Sequence, residues 1–112
     1  MATFKYITNW GTEYDCFLEY DAEKHHIQMY SIDPDDGFVE PFMTVTAIPA
    51  GACLMPGFVA IKNYSENEGI LQKLIELRVV DNPIGRIPAG FTHLDYCKVH
   101  PRTIRKYGME VI

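Results

Sequence analysis

Polar and apolar residues alternate along positions 13–21. Tyr14, Cys16, Leu18 and Tyr20 fall on one face; Glu13, Asp15, Glu19 and Asp21 fall on the other, with Phe17 the exception. A period of two with one wet face predicts a strand of an antiparallel sheet. Residues 21–24 are polar and suit a turn, and the strand pattern resumes over 27–32, which predicts a hairpin. Asp33-Pro34-Asp35-Asp36-Gly37 predicts a second turn, because Pro34 presets φ and Gly37 accepts a positive φ. Residues 38–48 read as a third strand. Pro41 inside it has no N–H to donate, so that strand lies at an edge or is bulged.

Glycine and proline punctuate residues 47–57, which read as a loop, and 58–64 as a short strand. One main helix is expected over about residues 66–78. Ser65 is its expected N-cap, with Glu68 completing a capping box, and Ile70, Leu71, Leu74 and Ile75 form its apolar stripe. Gly69 costs about 1 kcal/mol there and suggests close packing on the sheet. Asn82-Pro83 stops the segment. Residues 84–88 are extended, Ala89-Gly90 turns, and 91–99 read as a further strand. Pro101 opens a short C-terminal helix, with Ile104 and Tyr107 inward and Gly108 closing it. The expected fold is α+β. One domain over 1–112 carries an antiparallel sheet of about five strands, with the main helix packed on one face.

Length and composition change little in that picture. The 112 residues, 47% hydrophobic and 22% charged, suit one domain with its own core. The three cysteines, Cys16, Cys53 and Cys97, are odd in number and lack a CxxC spacing, which points to a reducing cytoplasm and buried thiols. No stretch resembles a signal peptide or an apolar membrane helix.

Charge is more informative in its distribution than in its sum of -5. Residues 1–42 hold nine acids and two bases, a net of -7, and the remainder carries +2. The acidic part argues against a phosphate-backbone ligand. It offers Glu13, Asp15, Glu19, Asp21, Asp33, Asp35 and Asp36 to a basic partner, or simply keeps the chain soluble. Lys98, Arg102, Arg105 and Lys106 form a candidate basic patch, with weak nucleic-acid binding as the reading it supports. Trp10 is read first as the largest hydrophobe of a small core and second as a partner anchor.

Candidate chemistries are thin. The 33–37 turn lacks the ligand spacing of a calcium loop, with Gly37 where a ligand belongs and Thr44 where a Glu is needed. His93, Asp95 and Cys97 share a strand face, but His93 and Cys97 lie about 13 Å apart, too far for one zinc ion. A small enzyme or ligand binder using Cys97 with His93 or His100 needs the fold to bring thiol and imidazole together. No catalytic residue, metal or cofactor is assigned.

Three stretches carry a resemblance: Asn9-Trp10-Gly11, the segment from Tyr30 through Ser31-Ile32-Asp33-Pro34-Asp35-Asp36-Gly37-Phe38 to Phe42, and Asn63-Tyr64-Ser65-Glu66-Asn67-Glu68-Gly69-Ile70-Leu71. They resemble a family of small bacterial proteins of unknown function, about a hundred residues long, common in gut bacteria and often encoded near plasmid or conjugative-element genes. The likeness spans about residues 4–92. It implies a setting, a mobile genetic element, rather than a reaction. With the acidic first segment, its rigid turn and no assembled catalytic set, the expected function is a non-catalytic interaction protein of such an element. A host defence nuclease, in the manner of anti-CRISPR or anti-restriction proteins, or a conjugation or replication protein would be a suitable target.

Overall fold

The computed structural model describes residues 2–110. Seven strands form two antiparallel sheets. The first has the order β1 (Phe4–Ile7), β2 (Glu13–Asp21), β3 (His26–Ile32), β4 (Val39–Thr44). The second has the order β5 (Phe58–Ile61), β7 (Thr92–Lys98), β6 (Gly85–Ala89). A three-residue strand, β8 (Gly108–Glu110), adds to the first sheet in parallel with β2. Helix α1 (Ile70–Glu76) precedes β6, and α2 (Pro101–Lys106) lies between β7 and β8.

The expected single sheet of about five strands is therefore corrected to two sheets. The physical reason lies in residues 47–57. Their Gly and Pro residues end the ladder after β4 and let the chain swing away before β5. The sheets stay stitched at one point: Thr46 bridges Ile61, Lys62 N donates to Val45 O and Ala47 N donates to Ala60 O.

Alternation in β2 sets the core. Tyr14, Cys16, Leu18 and Tyr20 face inward with Phe4 and Tyr6 of β1 and Ile27 and Met29 of β3. Val59 and Ile61 of β5, Cys97 of β7, Ile70 and Leu74 of α1, and Ile104 of α2 close over them. Fully burying a Leu or Ile side chain contributes about 1.5–3 kcal/mol, so this apolar cluster is the main source of stability. Pro41 sits as expected: β4 is the last strand of its sheet and its pairing with β3 shifts register at Met29/Tyr30.

The main helix is shorter than expected and is capped differently. Residues Ser65–Asn67 form one 3-10 turn, and α1 begins only at Ile70. Ser65 makes no side-chain cap and itself holds φ +56. Gly69 is the N-cap in the left-handed region, at φ +99, and a Cβ there would meet nothing within 4 Å. Its role is conformational, not close packing. The cap acceptor comes from Asn63, whose Oδ1 accepts from Gly69 N at 3.0 Å and Leu71 N at 3.1 Å. Those N–H groups lack partners within the helix, so a side chain outside the helix replaces the expected capping box.

Gly108 is the third correction. It does not close α2 but enters β8, where a Cβ would stand 1.9 Å from the carbonyl oxygen of Leu18. Only glycine permits that approach. The bond from Leu18 N to Tyr107 O, 2.8 Å, holds the junction.

Candidate functional site

The outer face of the first sheet carries the acidic residues, as the alternation of β2 requires. Register then divides them. Lys5 pairs across β1–β2 with Asp15, Asp15 with Ile32 of β3, and Ile32 with Val39 of β4. The β1–β2 and β3–β4 turns therefore project from the same end of the sheet. That end gathers Trp10, Glu13, Asp15, Asp33, Asp35 and Asp36, with Glu40 at the start of β4. Glu19 and Asp21 stand toward the opposite end, about 14 and 20 Å along the strand from Asp15. The expected single acidic face is thus two clusters separated by Phe17, which is buried on this outer face by stacking on Tyr30 at 5.3 Å.

Each turn is fixed by its own residues. Thr8 N donates to Thr12 O at 2.9 Å, Thr12 N to Thr8 Oγ1 at 3.1 Å, and Gly11 turns with φ +91. This tight loop thrusts Trp10 outward, leaving it 60% exposed. Trp10 is a surface residue, which corrects the core reading. In the acidic turn, Gly37 N donates to Asp33 O at 2.9 Å, Asp35 N to Asp33 Oδ1 at 2.8 Å and Phe38 N to Asp36 Oδ1 at 2.7 Å. Two carboxylates thereby organise the loop while all three remain exposed.

Lys5 is the cation that the first sheet itself contributes to this end. Its ammonium is paired with Asp15 and lies 4.0 Å from Glu13 Oε1. The hydrogen bond to Asp15 holds the Lys5 pKa above its ordinary value, with the charges of Asp15 and Glu13 adding to it and desolvation opposing. The pair is exposed and contributes little to stability. Six carboxylates of the sheet end stand against the Lys5 ammonium, and α1 adds one charge of each sign beside Ile7, Lys73 and Glu76, so the end is net negative. Sequence reading missed the apolar component: Ile7, Phe38 and Val39 are also exposed here. Ile7 and Val39 could have been found from strand parity, which puts them on the outer face.

The second cluster borders a recess of about 580 Å³ lined by Glu19, Asp21, Lys24, His25, His26 and Thr46, among others. Its charges are mixed. Glu19 Oε1 accepts from Tyr30 Oη at 3.4 Å, Asp21 Oδ1 from Lys24 N at 3.2 Å, and His25 Nδ1 lies 2.8 Å from Phe58 O.

The basic residues stand apart from the acidic end. Lys98 is exposed at the end of β7. Arg102, Arg105 and Lys106 are exposed on α2 at spacings that place them on one side. Lys106 Nζ lies 5.3 Å from the Tyr107 ring centroid.

Thiol chemistry finds no assembled site. Cys97 is fully buried and its Sγ contacts Asp95 O at 3.8 Å. Burial pushes its thiol up to about 12, and Cys16 likewise to about 12. Such thiols hold almost no thiolate near neutral pH and are poor nucleophiles. Among the described residues no thiol is hydrogen-bonded to an imidazole. His93 Nε2 instead lies 3.9 Å from the buried Asp95, which Arg86 also approaches at 3.8 Å. His100 Nε2 pairs with Asp81 Oδ1 at 2.6 Å. Cys53 is exposed in the 47–57 loop, which corrects the expectation of a buried thiol at that position. Among the described residues no three His, Cys, Asp or Glu are grouped to hold a metal ion, and no helix is long and apolar enough to cross a membrane.

Comparison with protein-family models, with curated proteins and with solved structures gave no match.

Proposed function

We propose that the chain is a protein-interaction module of a mobile genetic element that binds a basic surface of another protein through the acidic end of its first sheet. The observation that carries this reading is the placement of Glu13, Asp15, Asp33, Asp35, Asp36 and Glu40 at one end of the sheet, the end that also carries the exposed indole of Trp10. A concentrated negative field raises the encounter rate with a basic surface. An exposed Trp supplies the desolvated contact that slows dissociation.

The partner class follows from the same chemistry. Enzymes that handle nucleic acid present basic grooves to the phosphate backbone, and a rigid row of carboxylates can occupy such a groove in its place. A host defence nuclease or a conjugation protein fits this description, and both suit the setting that the resemblance implies.

Capture of partners from a bacterial lysate tests the reading when two variants are compared. In the first, Glu13→Gln, Asp15→Asn, Asp33→Asn and Asp36→Asn are combined. In the second, Glu19→Gln and Asp21→Asn are combined. The first is expected to lose the captured protein and the second to keep it. Retention by the first variant overturns the proposal.

A further inference from the structure

Four large hydrophobic side chains are exposed at the acidic end: Ile7 at 62%, Trp10 at 60%, Phe38 at 63% and Val39 at 45%. Exposed apolar residues are ordinary when scattered, but a cluster marks a contact surface. Here the cluster is set among carboxylates, and that combination restricts its occupant. An anionic membrane or a nucleic acid is repelled. A purely charged partner leaves the apolar area uncovered. The complementary surface carries apolar and basic side chains together.

Geometry selects the form of that surface. Ile7 on β1 and Val39 on β4 are separated by three interstrand spacings across the sheet and two residues along it, about 16 Å in all. The first sheet has two edge strands, β1 and β4. A strand added beside β1 would cover Ile7 but not Val39, and one added beside β4 would meet Pro41, which has no donor, and would not reach Ile7. A helix lying across the strand ends needs no such edge. Its apolar side chains at i, i+3, i+7 and i+11 cover about 16 Å along one stripe, and Lys or Arg on both flanks of the stripe reach outward to either side.

We propose that the acidic end receives a basic amphipathic helix of the partner. Its apolar stripe rests on Ile7, Trp10, Phe38 and Val39, and its cations meet Glu13 and the Asp33–Asp36 carboxylates. This proposal rests on the reading of the acidic end as a protein-binding surface and adds the shape of what binds there.

Trp10 is the only tryptophan of the chain, so its emission reports occupancy directly. The probe is a synthetic Leu/Lys peptide of about 18 residues with helical apolar periodicity, roughly 27 Å long. A scrambled peptide of equal composition and phosphatidylcholine vesicles are the comparisons. The patterned peptide is expected to shift the emission to the blue and to bind at least about tenfold tighter than the scrambled one. Phe38→Ser combined with Val39→Ser, with Trp10 kept, is expected to abolish that preference. Far-ultraviolet circular dichroism of this variant checks that it is folded. Equal binding of both peptides, removed by high salt, overturns the amphipathic-helix proposal while leaving the electrostatic reading standing. Binding of neither peptide overturns it too, and the lysate experiment then judges the broader reading separately. A blue shift with the vesicles, or one that grows with protein concentration alone, overturns it in favour of a lipid surface or a second copy.

Discussion

Replacing Gly108 with alanine tests how the C-terminal segment is fixed to the first sheet. A Cβ at this position would lie 1.9 Å from Leu18 O and 2.5 Å from Leu18 C, both backbone atoms that cannot rotate away. Contact at roughly 3.2 Å therefore requires β8 to retreat by about 1 Å or more. That movement breaks the pairing of Gly108, Met109 and Glu110 with Leu18, Glu19 and Tyr20 and strains the bond from Leu18 N to Tyr107 O. Losing two or three backbone hydrogen bonds costs about 1 kcal/mol each. Loosened packing of the buried Ile104 adds a similar amount. Against this, alanine is intrinsically better than glycine in a strand by roughly 0.5–1 kcal/mol. The clash wins, and Gly108→Ala is expected to destabilise by about 3 kcal/mol. Urea denaturation of three chains gives the answer: the wild type, Gly108→Ala, and a chain cut after Tyr107. The two altered chains should lose similar amounts. A loss below about 1 kcal/mol for Gly108→Ala would mean that β8 is not seated against Leu18, and the reasoning fails.

Three further outcomes are expected. Asn63→Ala removes the side-chain acceptor of Gly69 N and Leu71 N and should cost about 1–2 kcal/mol by thermal or urea unfolding, whereas Ser65→Ala should cost little. A thiol reagent should label Cys53 at once and reach Cys16 and Cys97 only on unfolding, so that fast labelling of all three contradicts their burial. Both buried thiols titrate at about 12 in the folded chain against 9.0 when unperturbed. Their contribution is thus complete below pH 9 and lost as pH rises toward 12, at most about 4 kcal/mol each, so Cys16→Ala with Cys97→Ala should flatten the decline in urea midpoint over that window.

The strongest sequence signals gave elements that the structure keeps. The alternation in β2 placed four residues in the core and four carboxylates outside, because a half-buried strand has no other way to satisfy both faces. The 33–37 turn followed from Pro34 and Gly37 for equally local reasons. Signals that depend on distant partners were not legible. Ser65 and Glu68 have the spacing of a capping box, yet Asn63 supplies the cap because Gly69 enters a left-handed conformation that no spacing rule reveals. Gly108 suits a helix end or a close strand contact equally well, and only Leu18 decides between them. β1 is four residues long, too short for its alternation of Phe4 and Tyr6 with Lys5 and Ile7 to stand out.

The candidate site divides in the same way. Its acidity is a property of residues 1–42 and is read by counting. Its location at one end of the sheet requires the register that brings the turns holding Trp10 and Asp33 together. Trp10 was open to a core reading because indole burial is the usual outcome in a small domain. The Thr8–Thr12 hydrogen bonds and Gly11 reverse that outcome.

The proposed binding requires that the acidic end, and no other part of the surface, meet a basic protein. Its most direct measurement is the salt dependence of association with the captured partner, recorded for the wild type and for the chain with Glu13, Asp15, Asp33 and Asp36 neutralised. The association rate is expected to fall steeply with ionic strength for the wild type and to be slower and nearly salt-independent for the variant. Equal rates with equal salt dependence for the two chains would contradict the proposed binding.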